Sequence, residues 1–312
     1  VCQDGTSINL TKDIRNASPN NLKIVTCLHT SPTTWEKVFS FKSVLQELRK
    51  SRFISLKIFW LVRLLTHPFW RKRALNGIAE IYKSNYLHSD KYVLLSQSFL
   101  PDMRNYLGVN EAVKLCVIPN PLSLGKIESP EILRKKKKEV LIVTRLDERQ
   151  KKISFALQVW ETIQRKGLNG WWLRIVGHGP DESFLKQIVK RNQIPNVKFE
   201  GKQMPIPYYE TASIFMMTSD FEGWGMTLTE SQQMGVVPIA RDTYSSLHDI
   251  ITDGFNGCIV NENDVQVYAD RLQRLMENDD EREELALNAL KSVKRFTSGN
   301  IIDQWVEMIE NL

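Results

Sequence analysis

The chain has 312 residues, 42% of them hydrophobic and 25% charged, the composition of a globular protein with about two domains. No run of 18 uninterrupted apolar residues occurs, so no membrane-spanning helix is expected. The net charge is +6 and no recognised nucleic-acid motif accompanies it, so nucleic acid is not the expected partner.

Four cysteines, Cys2, Cys27, Cys116 and Cys258, are scattered without metal or pairing spacing, which suits a reducing compartment. Cys27 and Cys116 fall in apolar runs and are expected as buried thiols. Asn9-Leu-Thr11 and Asn16-Ala-Ser18 match the glycosylation sequon, a pattern short enough to arise by chance. The first residue is Val1, and no signal peptide is visible.

In chain order, Leu22–Leu28 reads as a buried strand. Helical stretches follow at 34–50, 51–65 and 69–87. Tyr92–Ser96 is a second strand, 97–107 a helix and Lys114–Ile118 a third strand. Short apolar strands separated by helices indicate a parallel sheet. The segment 42–73 carries nine Lys or Arg against one acid, Glu47, with Phe59, Trp60, Phe69 and Trp70 among them. Two readings are open for it: a surface that lies on anionic lipid, or a solvated basic helix with a buried apolar face.

Pro119-Asn-Pro121 opens a linker that contains the charge run Lys135–Lys138. Beyond it, strands 140–144, 171–176, 197–199, 213–217 and 236–240 alternate with helices 153–166, 181–192, 205–211 and 227–234. This is the doubly wound α/β pattern, in which ligands bind beyond the carboxyl ends of the strands. Helices at 264–277 and 281–295 follow, then an amphipathic helix at 299–312 with Ile302, Trp305 and Ile309 on one side. The expected organisation is a first domain over 1–123, a linker over 124–138, a second domain over 139–296 and a final helix over 297–312.

Candidate chemistry gathers at the strand ends. Glu222 and Glu230 lie eight positions apart around Gly223-Trp224-Gly225. Glycines there let a ligand approach backbone N–H groups, and a helix starting near Thr227 would direct its dipole at an anion. Carboxylates accept paired hydrogen bonds from vicinal sugar hydroxyls. The plainer reading is a turn glutamate and a first-turn helix glutamate. Arg145 and Lys151 flank the loop after strand 140–144, where two cations can hold a diphosphate and stabilise it as a leaving group; a basic surface loop is the alternative. Gly177-His178-Gly179 is a tight turn. His29 ends the first strand, where an imidazole can bond a sugar hydroxyl or a phosphate oxygen.

Together these residues resemble the retaining glycosyltransferases of family four, which have the GT-B fold of two Rossmann-like domains facing across a cleft. Their glutamate-x7-glutamate signature matches Glu222-Gly-Trp-Gly-Met-Thr-Leu-Thr-Glu230. Val143–Lys151 resembles their Arg…Lys diphosphate clamp, Val176-Gly-His-Gly179 their glycine loop, Phe199–Met204 the strand and loop that touch the nucleotide base, and Cys27-Leu-His-Thr30 their first-domain histidine loop. Val117–Pro121 and Asp249–Gly257 fit as well.

The resemblance implies a hexose-type sugar moved from a nucleotide-diphospho-sugar, a UDP-sugar first among these, to a saccharide or lipid-linked saccharide, as in surface polysaccharide synthesis. Glu222 would contact donor sugar hydroxyls, Glu230 the ribose, and Arg145 with Lys151 the diphosphate, Lys152 being the competing lysine. His29 would touch the donor sugar. Gly177, Gly179, Gln203, Met204, Gly223, Trp224, Gly225, Met226 and Thr227 would complete the nucleotide-sugar pocket. No metal and no further cofactor are required, since there is no Asp-x-Asp and the two cations can replace one. Cytoplasmic placement, peripheral on the inner membrane face, is expected. Only 21 residues precede Leu22, so the first domain is expected to be incomplete through amino-terminal truncation. An epimerase on the same fold, or a non-catalytic nucleotide-sugar-binding fragment, are the competing functions.

Overall fold

The computed structural model describes residues 10–18, 22–51, 53–261 and 264–312. Cys2, Asn9 and Arg52 lie outside the described residues. The chain forms two compact units: one takes the described residues up to Pro119 together with 222–224 and 302–312, the other 120–221 and 225–301.

The first unit is built on three parallel strands, β1 (Val25–Leu28), β2 (Lys91–Leu94) and β3 (Leu115–Val117), in that order. A short helix, α1 (Leu10–Ala17), precedes β1. Four helices connect β1 to β2: α2 (Thr34–Val38), α3 (Phe41–Lys50), α4 (Ile54–Leu65) and α5 (His67–His88). A 3-10 turn and α6 (Leu100–Leu107) connect β2 to β3. Strand β1 is buried at every residue, as its apolar run requires, whereas Leu22 is exposed and precedes the strand. The helix expected over 34–50 is broken at Ser40. Its backbone is extended and its Oγ accepts from Ser43 N, so it caps a new helix. Asp90 ties α1 to the sheet, accepting from Ile24 N at 2.7 Å and from Arg15 at 2.5 Å. Burial works to raise the Asp90 pKa, but the Ile24 N–H bond and the Arg15 guanidinium outweigh it and hold the carboxyl below its ordinary value.

The second unit holds six parallel strands: β4 (Lys137–Val143), β5 (Trp172–Val176), β6 (Val197–Gly201), β7 (Ala212–Met217), β8 (Val237–Arg241) and β9 (Cys258–Val260). Their order is β6-β5-β4-β7-β8-β9. The chain therefore reverses its direction of travel across the sheet between β4 and β7, the place where doubly wound sheets bind ligands. The helices are α7 (Glu148–Lys151), α8 (Ile153–Arg165), α9 (Glu182–Arg191), α10 (Ile206–Thr211), α11 (Met226–Gln233), α12 (Leu247–Ile250), α13 (Val265–Glu277) and α14 (Asp279–Ser292). The last helix is α15 (Ser298–Glu310).

Helix α8 shows why the fold holds. Ile153, Ala156, Leu157, Trp160 and Ile163 are fully buried at helical spacing against the sheet. Two large core side chains of this unit have their polar ends matched: Trp160 Nε1–H donates to Pro195 O at 3.0 Å and Tyr268 O–H to Ile239 O at 2.8 Å.

Candidate active site

The loops after β4 and β7 lie side by side, because those strands pair at the reversal point. Ile142–Thr144, Lys151 and Phe215–Ser219 line a small hollow at their carboxyl ends. The β4 loop is held from within. Asp147 caps α7 by accepting from Arg149 N at 3.1 Å, and its other oxygen accepts from Arg145 at 2.6 Å. Glu148 is buried and accepts from Ser154 N at 3.0 Å and from the Ser154 hydroxyl. Desolvation raises the Glu148 pKa against these bonds. Its own N–H donates to Asp181 at 2.7 Å. The Arg145 side chain is 63% exposed, so its guanidinium reaches solvent while Asp147 steadies it.

The β4 and β7 loops are also fastened to each other. Thr218 Oγ1 donates to the Lys151 and Lys152 carbonyls at 2.9 and 3.1 Å. Gln150 Nε2 donates to Phe221 O, and Asp220 N to Gln150 O. Arg241, at the end of β8, donates to Thr218 O at 2.8 Å and to Asp220 at 3.2 Å. Lys152 pairs with Asp220. Thr218, Asp220, Gln150 and Arg241 were not singled out from the sequence. Asp220 lies inside the motif segment and Arg241 ends a strand, and position relative to the strand ends was the signal that would have found both.

The glycines of the neighbouring turn meet backbone. A Cβ on Gly177 would sit 1.8 Å from the Thr144 carbonyl oxygen, and one on Gly179 would sit 2.4 Å from that of Leu146. Leu146 N–H donates to His178 O and Asp181 N–H to Leu146 O, so this turn clasps the β4 loop. Gln203 and Met204 are exposed in the loop after β6.

Within the first unit, Glu222 and Trp224 are buried, at 8% and 3% exposure. A Cβ on Gly223 would lie 2.2 Å from the His29 carbonyl oxygen, so the His29 turn and this loop touch there. His29 itself is exposed at the carboxyl end of β1. In the second unit, Gly225 takes a left-handed φ of 91° and starts α11, with Met226 and Thr227 half-buried in its first turn. Glu230 accepts from Ser123 Oγ at 2.7 Å through one oxygen and from Tyr209 O–H at 3.0 Å through the other. Tyr209 is fully buried, and desolvation, then the Glu230 charge, raise its pKa well above the ordinary value.

The sequence profile of the glycosyl transferases group 1 matches residues 126–292, more than half of the chain. The chain belongs to that family. This glycosyltransferase is 24% identical over 310 residues to a Campylobacter jejuni N-acetylgalactosaminyltransferase named for a saccharide acceptor on PP-undecaprenol, covering 96% of this chain and 86% of that one. It is 25% identical over 185 residues to the amylovoran biosynthesis glycosyltransferase AmsD of Erwinia amylovora, covering 57% of this chain and half of AmsD. Among solved structures, TarM superposes with a TM-score of 0.73 at 17% identity, over 98% of this chain and 53% of TarM. Anabaena HepE, solved with UDP and glucose, gives 0.68 at 18% identity, over 93% and 72% of the two chains. These likenesses show the GT-B fold. Among the described residues, no helix of this glycosyltransferase is long and apolar enough to cross a membrane.

Proposed function

We propose that this glycosyltransferase moves a hexose-type sugar from a nucleotide-diphospho-sugar, UDP-linked, to a lipid-linked saccharide in surface polysaccharide assembly, with retention at the anomeric carbon. The observation that carries the reading is the position of Arg145, Lys151 and the Thr218–Phe221 segment at the reversal point between β4 and β7. The UDP and glucose of HepE and the undecaprenol-linked acceptor named for the Campylobacter enzyme support the donor and acceptor classes.

In this reading Arg145 and Lys151 neutralise the diphosphate, with the first turn of α11 and the backbone of Gly225, Met226 and Thr227 adding N–H donors. Glu230 accepts from the ribose hydroxyls. Its two oxygens each have lone-pair capacity beyond the Ser123 and Tyr209 bonds. Glu222 accepts from the donor sugar hydroxyls and His29 bonds the same sugar. Gly177 and Gly179 keep the β4 loop in place, and Gln203 and Met204 offer backbone groups to the base. The loop glycine Gly223 and the buried Trp224 hold Glu222 in position.

The bond from the anomeric carbon to the diphosphate oxygen breaks as the acceptor oxygen bonds that carbon on the same face. The acceptor proton passes to the departing diphosphate oxygen. Arg145 and Lys151 stabilise the negative charge that develops there. The basic, aromatic segment 42–73 faces an anionic membrane surface, which places the protein on the cytoplasmic face where nucleotide sugars are present. A donor panel with a polyprenyl-diphosphate-linked saccharide tests this. Transfer with retained anomeric configuration is expected; epimerised donor without transfer would overturn it.

A further inference from the structure

Glu230 and Gln233 stand three positions apart on α11, so they share one face of that helix. The segment 122–136 of the same unit is bonded to that face at several points. Gln233 is fully buried. Its Nε2 donates to Leu124 O at 2.9 Å and to Lys126 O at 3.1 Å, and its Oε1 accepts from Leu124 N at 3.4 Å. Its backbone carbonyl accepts from Glu128 N at 2.8 Å, while Leu122 N donates to Phe296 O at 2.9 Å. A buried primary amide costs free energy unless it is bonded. Here that demand is met by the backbone of 124–126, which fixes the course of the chain on both sides of Ser123.

Both ends of the segment reach Glu230. At the front, Ser123 Oγ–H donates to Oε1 at 2.7 Å, short as bonds to a charged acceptor are. At the back, Lys136 donates to Tyr209 O and Met234 O at 2.7 Å each. It thereby holds the residue whose hydroxyl bonds Oε2 at 3.0 Å and the residue that ends α11. Ser123 is exposed, whereas Tyr209 is buried. An exposed hydroxyl can bond water instead, so the Ser123 bond adds little to folding. What it does is fix the rotamer of a glutamate, and ordering a side chain in advance lowers the cost of binding through it. An ionised carboxylate accepts about four hydrogen bonds, shared between its two oxygens. Ser123 and Tyr209 each occupy part of a different oxygen, which leaves room on both for the neighbouring hydroxyls of a cis-diol.

We infer that Ser123 is a positioning residue for nucleotide recognition: its hydroxyl orders the Glu230 carboxylate so that both oxygens meet the ribose hydroxyls, and Gln233 keeps Ser123 in place. The inference rests on the ribose contact proposed above for Glu230 and extends the nucleotide site to the segment that follows Pro119.

The test is calorimetric titration of UDP and of 2′,3′-dideoxy-UDP into wild type, Ser123→Ala and Ser123→Thr. Wild type is expected to prefer UDP. Ser123→Ala is expected to weaken UDP by about three- to ten-fold. It should change dideoxy-UDP by less than about two-fold, because that ligand offers Glu230 no hydroxyl. Ser123→Thr keeps the donor and is expected to bind UDP within about two-fold of wild type. Melting temperatures of the three proteins should agree within about 3 °C, since the bond is exposed. An equal loss of both ligands in Ser123→Ala, undiminished UDP affinity in that variant, or failure of Ser123→Thr to restore binding would overturn the inference and leave the proposed function standing. Wild type that binds the two ligands equally, or binds neither, would count against the ribose contact of the proposed function and overturn the inference with it.

Discussion

Lys152 Nζ lies 3.3 Å from Asp220, with both side chains mostly shielded, and its backbone adopts the left-handed φ of 49°. Its charge is therefore spent on fastening the β4 loop to the β7 loop, while the adjacent Lys151 lines the hollow at the strand ends. That division separates the two lysines the sequence left in competition. Lys152→Gly loses an ion pair worth about 1 kcal/mol and is relieved of a left-handed strain of about 1 kcal/mol. Thermal denaturation should show nearly unchanged stability, and UDP affinity should fall less than about three-fold. Lys151→Ala should weaken UDP by about ten-fold or more. The reverse ranking would return the diphosphate to Lys152.

Gly223 and Gly177 predict opposite failures. A methyl at Gly177 would run into the Thr144 carbonyl, and the residue also holds a φ of 135°. Gly177→Ala should cost about 2 to 4 kcal/mol in denaturant unfolding, the sum of overpacking and backbone strain. Gly223 has no such φ, but its missing Cβ meets the His29 carbonyl. Gly223→Ala should displace the Glu222 loop, lowering turnover by about a hundred-fold with a smaller loss of stability, read by comparing rate and melting temperature.

The α/β alternation was legible because each strand is a short apolar run set off by polar turns; the order of the strands in the sheet was not. Residues 34–50 misread as one helix because apolar periodicity continues through Ser40, where local capping decides instead. Strand β9 escaped notice because it has three residues and is a strand only by pairing with β8. Glycines at strand ends were legible as places where something comes close, but not that the neighbour is backbone. The Arg241–Asp220–Lys152 network was invisible for a different reason. Its members are far apart in sequence and meet only through the β4-β7-β8 order.

Glu230 sits between Ser123 and the buried Tyr209. Removing it in Glu230→Ala leaves the Tyr209 hydroxyl only its longer bond to Thr227 O at 3.5 Å, at a cost of about 1 to 3 kcal/mol. Tyr209→Phe alone should cost less, and adding it to Glu230→Ala should recover part of the stability without restoring UDP affinity. A double-mutant cycle in urea unfolding measures the coupling. Additive losses would show that the hydrogen bond does not stabilise the fold.

Lys136 predicts the pH response of the second unit. Burial lowers its pKa to about 7, against the opposing pull of Glu128 and Glu210, while its amine donates to the Tyr209 and Met234 carbonyls at 2.7 Å each. Between that value and the ordinary lysine pKa, the unfolded chain binds a proton that the folded chain does not, so stability rises with pH. From pH 7 to 8.5 the gain should be about 1 to 2 kcal/mol. Lys136→Met should flatten this slope whatever its effect on absolute stability. Urea midpoints at several pH values check it, and an unchanged slope would remove Lys136 as the cause.

The central claim is that the reversal point between β4 and β7 holds a nucleotide diphosphate. Calorimetric titration of UDP and a UDP-sugar into wild type, Arg145→Ala and Glu222→Ala tests it most directly. The account predicts that Arg145→Ala weakens both ligands by about ten-fold or more, whereas Glu222→Ala weakens the UDP-sugar and leaves UDP nearly unchanged. Wild-type affinity for both ligands in both variants would contradict it.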